Sequence, residues 1–109
     1  MDKYLKVIES LDWKVNIEEQ DGRRYAEFEN WSPAGEDIIF SVWFDEDDDL
    51  PDAVWDYYTD FDPEEHAGEL YEAGKHGFSG VPSLRILLDD ADEISDMLEH
   101  LARALQNAA

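Results

Sequence analysis

Cysteine is absent from the 109 residues. That excludes disulfide frameworks, thiolate nucleophiles and Cys-ligated zinc or iron–sulfur centres, and it fits a reducing compartment. Long apolar stretches are also missing. No run exceeds three residues, as in Ile38-Ile39-Phe40, whereas a membrane-spanning helix needs about 18. The opening Met1-Asp2-Lys3-Tyr4 has neither the basic nor the apolar region of a secretory leader, so a cytoplasmic location is expected. Positive charge is scarce: 8 Lys plus Arg stand against 29 Asp plus Glu, a net charge of -21. Affinity for nucleic acids and anionic lipid comes largely from Lys and Arg, so direct binding to DNA, RNA or membrane is disfavoured.

What is present argues for a folded chain. A content of 43% hydrophobic and 13% aromatic residues is too high for a disordered acidic tail, and the length suits one domain with one core. Tyr4, Leu5, Val7, Ile8 and Leu11 recur at helical spacing behind Asp2, a residue suited to capping. Trp13, Val15 and Ile17 then alternate with polar residues, and Asp21-Gly22 is a two-residue hairpin signal. With those two residues as the loop, Glu19 faces Arg24, Ile17 faces Ala26, Val15 faces Phe28 and Lys14 faces Glu29. Each pair matches like with like or charge with opposite charge, and a slip by one residue would turn Val15, Ile17 and Phe28 to the wrong face. After the Trp31–Gly35 turn, Ile38, Phe40, Val42 and Phe44 alternate with Ile39, Ser41 and Trp43, a third strand antiparallel to the second.

From Leu50 the period changes. Leu50, Ala53, Val54, Tyr57, Tyr58 and Phe61 share one helical face while Asp52, Asp56 and Asp60 share another. Asp62-Pro63-Glu64-Glu65 opens a second helix that runs to Gly74 and buries Ala67, Leu70 and Tyr71. Gly74–Pro82 reads as a loop. Leu84, Leu87, Leu88, Ala91, Ile94, Leu98, Leu101 and Leu105 form a last apolar stripe, which either one helix of about 24 residues or a short helix followed by a longer one satisfies. Asp90-Ala91-Asp92-Glu93 favours the second, with a break near Asp89 and Asp90. The expected fold is α+β: an N-terminal helix, a three-stranded antiparallel meander, then three helices packed on the sheet.

Between Tyr25 and Gly74 there is no Lys or Arg against 17 acidic residues, 13 of them between Asp45 and Glu72. So one-sided a surface costs folding stability by self-repulsion, which points to interaction, although acidic faces also serve solubility alone. The candidate binding residues are Asp45, Asp47, Asp48, Asp49, Asp52, Trp55, Asp56, Asp60, Glu65, Glu69 and Glu72. The expected partner is a basic protein surface, such as that of a nucleic-acid-binding protein. Asp52, Asp56 and Asp60 would stand about 6 Å apart along a helix. Mimicry of duplex charge density would need further carboxylates in parallel rows. Crowding is expected to raise carboxylate pKa values, so that mild acidification toward about pH 5 strengthens folding.

Chemical motifs fall short. Asp45, Asp47 and Asp49 have calcium-loop spacing, but Leu50 and Asp56 stand where that loop needs glycine and glutamate. Gly74-Lys75-His76-Gly77 lacks the Ser or Thr and the preceding glycines of a phosphate loop, and Ser79 lacks a nucleophile elbow's second glycine. His66, His76 and His100 show no metal-ligand spacing. No cofactor is implied. Two other readings stand beside the interaction module. One is a small enzyme or divalent-cation binder using the carboxylates and the Gly74–Pro82 loop; the other is a homodimer through Trp43 or Trp55.

The runs Asp60-Phe61-Asp62-Pro63-Glu64-Glu65-His66-Ala67, Ala73-Gly74-Lys75, Gly80-Val81-Pro82-Ser83 and Leu87-Leu88-Asp89-Asp90-Ala91 resemble small acidic accessory proteins of bacterial mobile elements. The resemblance covers the second half of the chain and transfers no site residues. It implies a bacterial cytosolic protein with antirestriction or other host-interference activity. The element order also resembles that of the double-stranded-RNA-binding domain, without its basic surface.

Overall fold

The structure, a computed structural model, describes residues 1–73 and 83–109. The expected Gly74–Pro82 loop lies outside the described residues. In order, the elements are α1 (Asp2–Ser10), β1 (Lys14–Gln20), β2 (Arg23–Trp31), β3 (Asp37–Phe44), a single 3-10 turn (Asp47–Asp49), α2 (Leu50–Asp60), α3 (Pro63–Ala73) and α4 (Leu84–Ala108). This is the expected α+β arrangement.

The sheet order is β1-β2-β3, antiparallel throughout. Asp21 (φ 53°) and Gly22 (φ 78°) are both left-handed, as a two-residue turn that matches strand twist requires. The pairs Lys14 with Glu29, Val15 with Phe28, Ile17 with Ala26 and Glu19 with Arg24 are those the alternation predicts. Ala26, Phe28, Ile38, Phe40, Val42 and Phe44 face the helices and are buried. The Phe28 and Phe40 rings stack at 4.8 Å, and Tyr57 of α2 stacks on Phe40 at 4.2 Å. α1 contributes Tyr4 and Ile8 to this core, and α4 contributes Ile94, Leu98, Leu101, Ala102 and Leu105. α3 packs on α4, where Ala67 meets Leu87 and Ala91 in a smaller cluster.

Three local expectations are corrected. α1 is capped by Met1, with Asp2 already in its first turn. Tyr71 is 52% exposed, and the contact of α3 with α4 is built on Ala67 and Leu70 against Leu87, Leu88 and Ala91. α4 runs unbroken through Asp89 and Asp90, the single helix of the two alternatives, and is capped by Ser83, whose side chain accepts from the Ile86 N–H at 3.3 Å. The helix survives because the Asp90 carboxylate does not turn back onto its own backbone. It accepts from the Ser32 hydroxyl at 2.6 Å and the Ala34 N–H at 3.0 Å, in the loop between β2 and β3.

Candidate interaction surface

The structure divides the predicted acidic residues into two groups. Asp45, Asp47, Asp48 and Asp49 follow β3 directly, and the hairpin and α1 bring cations to them. Arg24 of β2 donates to Asp47 at 2.6 Å and to the Asp45 carbonyl at 2.8 Å, and Arg23 reaches the Asp45 carboxylate at 3.4 Å. The N-terminal amine meets Asp47 at 3.3 Å, and Lys3 lies 3.9 Å from Asp48. The buried Tyr4 hydroxyl donates to Asp48 at 2.7 Å, an interaction that pushes the phenol up to about 12. Asp49 accepts from the Glu46 N–H at 2.9 Å and so closes the 3-10 turn. Within the fold, these carboxylates hold the chain reversal in place.

Where a carboxyl is displaced, the direction is opposite to the rise expected from crowding. The carboxyls with a resolved displacement, Glu18 and Asp47, are held below the usual range: Glu18 by hydrogen bonds from Tyr25 and Asn16, Asp47 by Arg24 and the N-terminal amine.

The remaining carboxylates lie on α2 and α3. Asp52, Asp56, Asp60, Glu65, Glu69 and Glu72 are all exposed, and among the described residues none forms an ion pair. The helical period explains their exposure, since each lies away from the apolar stripe of its own helix. Asp52 accepts from Gln106 of α4 at 2.9 Å. Trp55 is half-buried, edge-on to Tyr58 at 5.6 Å, with the Arg103 guanidinium 5.5 Å over its ring. These groups and Asn107 line an open cleft of about 470 Å³ between α2 and α4.

A second hollow of about 230 Å³ sits where α2 meets α3, with Asp60, Glu65 and Glu69 in its wall and His66 inside. His66 Nε2 lies 2.7 Å from Oε2 of the buried Glu36, the residue just before β3. That hydrogen bond holds the imidazole above its usual pKa against the opposing effect of burial. Among the described residues no hydroxyl is bonded to the His66 ring. Nor, among the described residues, do three His, Asp or Glu side chains converge there as metal ligands would. Glu36 and Gln106 escape sequence reasoning because their partners lie 30 or more positions away; Arg103 shows only its i,i+4 spacing to Glu99, with which it pairs at 2.8 Å, and its position over Trp55 has no local signal.

No helix among the described residues is long and apolar enough to cross a membrane. No protein-family model, curated protein or solved structure matches the chain.

Proposed function

We propose that this chain is a non-enzymatic acidic interaction module that engages a basic protein surface through the carboxylates of α2 and α3, with Trp55 beside them. The observation that carries this reading is the division of charge. Lys3, Arg23, Arg24 and the N-terminal amine are engaged by Asp45, Asp47 and Asp48, whereas Asp52, Asp56, Asp60, Glu65, Glu69 and Glu72 face outward on two consecutive helices. Exposed like charges with no cation to offset them cost self-repulsion, and a basic partner removes that cost. In its sharper form the surface stands in for nucleic acid on a nucleic-acid-binding protein, the host-interference role implied by the resemblance to mobile-element accessory proteins.

Competition with duplex DNA for a basic, sequence-nonspecific DNA-binding protein tests the proposal. The chain's own affinity for that protein, titrated without DNA, should fall about tenfold or more as salt rises from about 50 to about 200 mM. It should weaken again when Asp52, Asp56 and Asp60 are changed together to Asn. Binding that is indifferent to salt and to that triple change rejects the reading.

A further inference from the structure

The two edges of the sheet differ in a way that bears on how a partner docks. In a hairpin with a two-residue loop, the flanking pair, here Gln20 and Arg23, exchanges both backbone hydrogen bonds. Counting in twos along the unbroken registers, Arg24, Ala26, Phe28 and Asn30 direct their backbone groups toward β3, and Phe44, Val42, Phe40 and Ile38 answer them. Asp37, Ile39, Ser41 and Trp43 therefore send their N–H and C=O groups to the open side. Among the described residues no hydrogen bond from outside the sheet takes up those groups.

The side chains do not protect this edge. Ile39 is 53% exposed and Trp43 45%, and from Ile38 to Phe44 there is no charge and no proline, the usual blocks against strand addition. The opposite edge strand, β1, carries Lys14, Asn16, Glu18, Glu19 and Gln20.

The helix layer specifies the chemistry of an incoming strand. α1 packs on β1 and α4, and α2 packs on α4 and β3, so α2 is the last helix over the β3 side. Trp55 faces α4 and Tyr57 lies on Phe40 of β3. At about 100° per residue, Asp56 and Asp60 then project from the flank of α2 turned away from α4, above the open side of β3. The acidic hollow holding His66 lies at the Glu36 end of the same edge.

The geometry points to β3 as a recognition strand: an extended basic segment of a partner adds to its open edge as a fourth strand. Alternate Lys or Arg side chains of that segment meet Asp56 and Asp60, and the intervening apolar ones meet Ile39 and Trp43. Main-chain bonds supply affinity in this mode, and the alternation supplies selectivity. The inference rests on the acidic-module reading and deepens it by naming the partner's shape and pattern. A second copy of this chain fits less well. Antiparallel pairing about Ser41 would set Asp37 against Asp45 at both ends and bring two acidic α2 flanks together.

The probe is a synthetic peptide of alternating lysine and valine, with a scrambled peptide of the same composition as its control. Bound to the wild-type chain, the alternating peptide should slow amide exchange at Ile39, Ser41 and Trp43, and the scrambled one should bind about tenfold more weakly. Ser41→Pro removes an outward N–H while sparing the bonds to β2, and it should reduce peptide binding about tenfold with the fold retained by circular dichroism. Asp56→Asn with Asp60→Asn should weaken binding and flatten its salt dependence. If Ser41→Pro folds and binds normally, or exchange at the three amides is unchanged in the saturated wild type, the strand-addition proposal is overturned while the acidic reading stands. If neither basic peptide nor basic protein binds at low salt, the acidic reading itself fails. A concentration-dependent dimer of the chain alone, abolished by Ser41→Pro, would replace the basic segment with a second copy.

Discussion

His66 shows how one side chain acquires a pH response from its neighbours. Its hydrogen bond to the buried Glu36 holds the imidazole above the usual value of 6.5, and nearby Glu69 and Asp90 add to the attraction. A group whose pKa is raised on folding contributes stability that is complete below its unfolded pKa and fades as pH rises through its folded one. The melting temperature should therefore fall as pH is raised from about 6 to about 8.5, and Glu36→Gln should remove most of that step. The difference between the profiles of wild type and Glu36→Gln isolates the contribution of His66. A flat wild-type profile across this range would refute the assignment. Asp47 works in the opposite sense. Its carboxyl is held low, so its contribution persists through mild acid and is lost only as pH falls through that lowered value.

Among the elements, α4 depends most on a contact remote in sequence. Asp90 ties it to the Ser32–Glu36 loop, where the Ser32 hydroxyl oxygen also accepts from the Glu36 N–H at 2.9 Å. Asp90→Ala would leave the Ser32 hydroxyl and the Ala34 N–H without their acceptor, at a cost of about 1 to 3 kcal/mol. Urea denaturation should show this as a lower midpoint with an unchanged slope, while the helical circular dichroism of the folded state stays at the wild-type level. A loss of helical signal would instead mean that Asp90 initiates a helix. Local pattern explains why the elements differ in legibility. The hairpin register follows from Asp21-Gly22 and the alternation around it, all within a span of 16 residues, Lys14 to Glu29. The Asp90 bonds cross 58 and 56 positions, and in the sequence the same residue reads as a capping signal.

At the scale of the molecule, net repulsion and local pairing oppose each other. Exposed ion pairs such as Arg23–Asp45 and Lys3–Asp48 contribute about 0 to 1 kcal/mol each, and salt weakens them. The charge of -21 acts everywhere, and salt relieves it. With 29 acidic and 8 basic side chains the second effect should dominate, so the melting temperature should rise between about 50 and about 500 mM sodium chloride. A fall would show that the clamp around Asp45–Asp48 outweighs the general repulsion.

Sequence alone determined the element order, the strand register, the buried faces of the sheet and of α2 and α4, and the excess of negative charge, because each follows from residue type and short-range periodicity. Only the tertiary structure decided which carboxylates are matched and which are presented. Arg24 reaches Asp47 across the meander, and Arg103 reaches Trp55 between helices. Side-chain pairing at such separations depends on how the elements stack, and spacing along the chain does not encode it.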